Sequence, residues 1–288
     1  MTPIQVKKVS DEGSTSPFMA RIFMGILEFR DQLYLLSTHG AQRNRKQDEF
    51  DMRFKPVLEA SQATRDAAVE GLNVLKNHVQ RIEEGEVVRF RKNQYDILEN
   101  VDANLSQEVD KLVDQGIVAI KSGLQDMLRE LFDLDIGFLF QNDQRFADGT
   151  AELRSNGEQE LADYLVDIRQ TWLSNLQDLR NRHEHHGWSL DPLAYRMTEP
   201  NKVRVHLPSV DGVAVDRFLK RTANRVLLFV ENMLVFSMSR HIQHPIFVKE
   251  IPHHARNPID PKRFALAPRG LDKSQQWVIS FADGNDFV

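Results

Sequence analysis

The sequence predicts a mainly all-α fold: an antiparallel helical bundle with a small β-hairpin and an extended C-terminal tail. Two observations carry this. Apolar residues recur every three to four positions through five long segments, the period of an amphipathic helix. Only one pair of short alternating runs, on either side of Thr198-Glu199-Pro200-Asn201, reads as a hairpin. Hydrophobic residues make up 41% and charged residues 27% of the 288 positions, enough to bury a sizeable core.

Residues 1–17 are polar, end in Gly-Ser-Thr-Ser-Pro, and read as a flexible N-terminal arm. Phe18, Ile22, Phe23, Ile26, Phe29, Leu33 and Leu36 then predict a helix to about Ser37. The charged stretch 39–53 reads as a connection or a frayed helix start. From Pro56 to Glu84 the spacing is helical again. Pro56 is tolerable in a first turn, and Gly85 is placed to stop the helix. Residues 86–99 are ambiguous between a short strand at 87–90 and a helical turn at 95–98.

Leu105, Val109, Leu112, Gly116, Ala119, Gly123 and Met127 predict the next helix, with two glycines where a neighbour can approach closely. The largely apolar run Phe132–Phe140 reads as buried, and 141–157, with two glycines, as a loop. Leu161, Leu165, Ile168, Trp172, Leu176 and Leu179 predict a helix over 158–183 that Gly187 stops. The hairpin follows, then a long helix over about 213–241. Residues 18–245 form the helical domain, with a domain cut near 142–157 as the alternative, and 246–288 form an extended segment packing on the bundle.

The net charge is −5, but residues 180–256 hold twelve Lys/Arg against seven Asp/Glu and eight of the ten histidines. A basic segment in an acidic chain points toward an anionic partner. The absence of cysteine excludes disulfides and thiolate chemistry. No apolar run nears the ~18–20 residues that span a bilayer, and the N-terminus has no signal-peptide core. The expectation is a cytoplasmic protein with no membrane partner.

One segment reads as chemistry: Arg-Asn-Arg-His-Glu-His-His-Gly-Trp at 180–188. Cationic residues at a helix C-terminus also complement its dipole. A histidine moves a proton near neutral pH, and an arginine stays charged with a fork that fits phosphate oxygens. Together they suit cleavage of RNA, where the 2′-hydroxyl is the nucleophile and neither metal nor cofactor is needed. On one continuous helix Arg180 and His185 lie about 140° apart. They converge if the helix ends between them or if two chains share the site.

Arg180-Asn181-x-x-x-His185 resembles the R-x(4–6)-H signature of the HEPN superfamily, helical-bundle domains of prokaryotic defence and toxin–antitoxin systems. The resemblance covers about 30 residues. It implies a metal-independent endoribonuclease in which His185 does acid/base work, Arg180 holds the scissile phosphate and Asn181 orients one of them. His186 also fits the allowed spacing. The resemblance further implies a homodimer, and possible antitoxin or other protein partners.

Arg182, and the i, i+4, i+8 stripe Arg217, Arg221, Arg225 on the last long helix, are the expected substrate-binding residues, meeting RNA phosphates. Two other readings use the same residues. One is a non-catalytic RNA- or protein-interaction module. The other is a metal site built on His183 and His186, with His241 or His253-His254.

Overall fold

The computed structural model describes residues 18–37, 41–92, 94–241, 246–252, 255 and 262–268. Its helices are α1 (Phe18–Ser37), α2 (Ala41–Glu83), α3 (Asp102–Val118), α4 (Gln125–Phe132), α5 (Asp143–Ser155), α6 (Gln159–Ile168), α7 (Ser174–His186) and α8 (Val215–Ser239). A π-helical segment, Ala119–Leu124, makes α3 and α4 one continuous rod, and a second, Arg169–Leu173, does the same for α6 and α7. The fold is mainly all-α, as the spacing predicts.

α8 is the centre of the bundle. From Phe229 to Met238 every one of its residues is buried, and a helix apolar all round is one enclosed by others. Around it pack α1, α2, α3 and α4. The main core runs from Met19 on α1 through Phe229 on α8 to Val248 and Phe264, and a smaller cluster gathers Ile82, Val87, Val88 and Val203. The two glycines of the α3 stripe mark close approaches. A Cβ on Gly123 would stand 3.2 Å from the Val57 Cα on α2, and one on Gly116 would stand 3.2 Å from Val226 of α8.

Several elements differ from the sequence reading. Residues 41–53 are neither a connection nor a frayed start: α2 begins at Ala41 and carries Pro56 in its interior. Phe50 and Phe54 are fully buried one turn ahead of Val57 and Leu58. That packing outweighs the missing proline hydrogen bond. Residues 141–157 are also not a loop. Asn142 caps α5 by accepting from the Arg145 N–H at 3.0 Å, and Leu153 anchors the helix in the core. Its Gly149 is required where the Phe138 ring lies against the backbone.

Among the described residues four two-stranded antiparallel sheets decorate the bundle, where the sequence suggests one. β1 (Val88–Arg91) pairs with β2 (Gln94–Ile97), so 95–98 is not a helical turn. β3 (Ala194–Glu199) pairs with β4 (Lys202–His206), the expected hairpin. β5 (Ser209–Val210) and β6 (Val213–Ala214) flank an Asp211-Gly212 turn in which both residues have positive φ. β7 (Ile246–Glu250) pairs with β8 (Phe264–Pro268).

The described part of the tail packs on the bundle: Arg263 donates to Glu231 and Asn232 of α8, and Glu231 also receives two hydrogen bonds from Arg21 of α1. The N-terminal arm 1–17 and residues 269–288 lie outside the described residues.

The first two hairpins are tied to α2 by a small polar cluster. His78, buried on α2, bonds the Tyr195 hydroxyl at 2.8 Å and faces Glu99 at 3.5 Å. Burial pushes the Tyr195 phenol up to about 12.

Candidate functional site

The segment 180–188 is helical through His186. Gly187 ends α7 with φ of 63°, and the N–H groups of Gly187 and Trp188 both return to the Arg182 carbonyl. This left-handed cap is the reason for a glycine here. Because the helix does not end between Arg180 and His185, their phase difference of about 140° persists. Within one chain Glu184 stands between them, its two carboxylate oxygens 2.6 Å from the Arg180 Nη2 and 3.9 Å from the His185 Nε2.

The structure sorts the cluster onto three faces of α7. Facing α3, the Arg180 Nε lies 3.4 Å from Asp114 and its Nη2 2.6 Å from Glu184. On the same side His183 lies 3.3 Å from Asp110. Burial, with a smaller push from Asp114, holds the Asp110 carboxyl above its ordinary range against the opposing pull of His183. Facing outward are Asn181 and His185, the latter 67% exposed and 3.9 Å from Glu184.

On the third face the Arg182 Nη2 donates to both oxygens of Asp211 at 2.8 Å. Exposed His186 lies within about 20° of Asn175 and Leu179 in helical phase, so it continues their ridge.

That ridge borders a pocket of about 200 Å³ between α7, α8 and the β5–β6 hairpin. Arg221, Thr222 and Arg225 of α8 form one wall, with Asn175 and Leu179 of α7 opposite. Thr171 and Trp172, from the π-helical segment, and Asp211, from the β5–β6 turn, line it as well. A π turn re-aims the side chains around it and recurs at functional sites. Arg217 is exposed on α8 and lies outside the lining.

Arg225 is unusual in this fold. Half-buried Arg30, Arg53, Arg81, Arg169, Arg180 and Arg182 each hold a carboxylate. Among the described residues, neither Arg225 nor Arg221 has a carboxylate within ion-pair distance or a side-chain hydrogen bond. Burial and the neighbouring Arg221 charge lower the Arg225 pKa, and Asp167 opposes them. The fold therefore holds two like charges one helical turn apart, with Asp167 acting on Arg225 only from beyond ion-pair distance.

The sequence reading missed the pocket's other members, because Thr171, Asn175, Asp211 and Thr222 come from three separate elements. It also missed Asp110 and Asp114. Their i, i+4 spacing on α3 was a signal, but which arginine they would meet depends on helix packing.

Among the described residues no group of three or more His, Asp or Glu side chains is placed to hold a metal ion. His241 packs against Phe132 beyond the end of α8, and His253 and His254 lie outside the described residues. No helix of the described residues is long and apolar enough to cross a membrane. Compared with known proteins, the chain matches no family model, no curated protein and no solved structure.

Proposed function

We propose that this chain binds RNA along the seam between α7 and α8, and cleaves it without a metal in the manner the HEPN resemblance implies. The observation that carries the reading is the seam itself. The end of the motif helix, with Arg182 and His186 on one ridge, is continuous with a pocket whose two arginines lack a carboxylate. Guanidinium groups left without protein counter-ions suit phosphate.

In this reading Arg217, Arg221 and Arg225 guide the strand. His185 or His186 moves the proton of the attacking 2′-hydroxyl, and Arg180 stabilises charge on the phosphate. The HEPN resemblance implies that a second copy of the chain completes the site, with Glu184 standing between Arg180 and His185 in each copy. A homodimer follows, and with it a place in defence or toxin–antitoxin systems, where the other partner is an antitoxin.

A non-catalytic RNA- or protein-interaction module is the second reading, favoured by one contact set. Arg180 is neutralised by Asp114 and Glu184, and a phosphate must displace at least one of them.

Incubation with single-stranded RNA in EDTA separates the two. Cleavage that is lost in Arg180→Ala and in His185→Ala or His186→Ala supports the nuclease. Binding without cleavage, unchanged by all three substitutions, leaves the interaction module. Restoration of cleavage on mixing Arg180→Ala with the inactive histidine variant supports a shared site, since each mixed dimer then holds one intact half. Purified protein carrying stoichiometric zinc, with activity lost to chelator, sinks both metal-free readings.

A further inference from the structure

We propose that the α7–α8 pocket is a binding site for an organic phosphate monoester: the phosphate sits between Arg221 and Arg225, and a planar apolar body lies against the opposite wall. The inference goes beyond cleavage and stands whether or not RNA is cut. Three features of the site point to this class of ligand.

The first is charge. Arg221 and Arg225 are successive residues of one helix face, one turn apart, and both line the cavity. Every other half-buried arginine named above is satisfied by a carboxylate, so the bundle does supply counter-ions where its arginines serve packing. Here no carboxylate of the described residues comes within ion-pair distance: Asp167 acts on Arg225 from further away, although Asp211 lines the same pocket. Asp211 is engaged by Arg182 instead. A dianion placed between the two guanidinium groups would remove their repulsion and the cost of burying Arg225 unpaired.

The second is the neutral hydrogen-bonding set. Thr222 stands between the two arginines in sequence and lines the pocket with them, as do Thr171 of the π-helical segment and Asn175 of α7. The Thr171 hydroxyl already donates to the Asp167 carbonyl at 2.7 Å, so the Thr222 hydroxyl and the Asn175 amide are the neutral donors left for phosphate oxygens. This amide and hydroxyl carry no charge, so they add direction without adding repulsion.

The third is the apolar wall, which argues against inorganic phosphate as the natural occupant. Trp172, Leu176 and Phe218 line the same space. A bare anion would leave that surface wet, whereas an ester with a ring covers it. The ends of the pocket are also unlike. Asp211 is an acceptor in the exposed β5–β6 turn and repels phosphate, so the ester binds with its phosphate toward Arg225 and any hydroxyl or amino group toward Asp211. The positive φ of Asp211 in the β5–β6 turn, and its bond to Arg182, hold this acceptor in place.

Phosphate monoesters on a ring come from two sources, a free small molecule or the terminal phosphate of an RNA strand. Calorimetric titration of the full chain, in a phosphate-free buffer, distinguishes them. The probes are phenyl phosphate, phenol, inorganic phosphate, adenosine 5′-monophosphate, and a tetranucleotide with and without its 5′-phosphate.

The expected result is that the ring-bearing monoesters bind at least ten-fold more tightly than phenol or inorganic phosphate. Arg225→Met and Arg221→Met should each weaken them at least ten-fold. Lys220→Met, on the same helix but outside the pocket, should change them less than two-fold. Asn175→Leu, which fills the opposite wall without touching the arginines, should also weaken them, so the idea stays testable if an arginine variant does not fold.

A phosphorylated tetranucleotide that binds more tightly than both the mononucleotide and its own 5′-hydroxyl form identifies the RNA end. Equal or weaker binding identifies the free ester. Monoesters that bind no better than inorganic phosphate, or binding indifferent to both arginine variants, overturn the proposal. RNA cleavage with no monoester binding overturns this site alone, and monoester binding with no cleavage overturns the nuclease reading alone.

Discussion

Replacing Arg225 by Met should stabilise the protein, which is an uncommon expectation for a core-lining substitution. Met retains most of the aliphatic stem that packs in the pocket wall while removing the charge. Two unfavourable contributions disappear. The like-charge contact with Arg221 at i, i+4 is worth about 0.2–0.5 kcal/mol. Partial burial of a guanidinium without a carboxylate adds a similar amount after screening by the solvent that reaches the pocket. The sum, about 0.5–1 kcal/mol, should raise the melting temperature by roughly 1–4 °C for a chain of this size.

The measurement is thermal unfolding followed by circular dichroism in a low-salt buffer without phosphate or sulfate. Near 1 M sodium chloride the Debye length falls to about 3 Å, and the part of the gain due to Arg221 should shrink. Arg221→Met followed by Arg225→Met should be less than additive, because the first substitution already removes the repulsion. Adding phenyl phosphate should reverse the order, since the ligand stabilises only the protein that binds it. A fall of more than about 2 °C for Arg225→Met in the phosphate-free buffer would refute the reasoning, because it would mean that the charge is stabilised within the fold.

Three further outcomes follow from the same structure. Glu184→Gln removes one of the two acids that hold Arg180, so RNA cleavage at limiting substrate should rise several-fold; a fall would place Glu184 itself in the chemistry. Gly123→Val should lower stability by about 1–3 kcal/mol, read from a urea midpoint, against a helix-propensity gain of only about 0.4 kcal/mol. The added atoms meet Val57 backbone at 3.2–3.4 Å, which cannot rotate aside, and an unchanged midpoint would show that α2 yields.

The third concerns acid stability. Desolvation raises the Glu99 pKa, but hydrogen bonds with Arg81 and His78 outweigh it and hold the carboxyl below its ordinary range. Its contribution is present above the unfolded pKa and is lost as pH falls through the lower folded value. Glu99→Gln should therefore flatten the loss of stability between about pH 5 and pH 3. An acid-unfolding curve identical to that of the unmutated chain counts against it.

The helices were legible wherever one face met the core. Ile22, Ile26 and Phe29, or Leu161, Leu165 and Leu176, repeat because a helix presents one side to its neighbours, and that period is written in order along the chain. The same is true of Gly85 and Gly187, whose positive φ ends α2 and α7. Residues 41–53 and 141–157 misled because polar composition and glycines look alike in a loop and on a solvated helix. What makes them helices is Phe50, Phe54 and Leu153 reaching a core built by distant segments.

The site divides the same way. Composition and spacing located Arg180, Asn181, His185 and His186 and the stripe on α8, because those residues are near one another in sequence. Tertiary packing decided what each one faces. α3 brings Asp110 and Asp114 against Arg180 and His183, and α7 leaves His185 outside. The Asp211 turn takes Arg182, and α8 turns Arg221 and Arg225 into a pocket without a counter-ion. A period along one helix fixes which residues share a face. Only the neighbouring helices supply or withhold the opposite charge, and that determines whether an arginine is a strut or a ligand site.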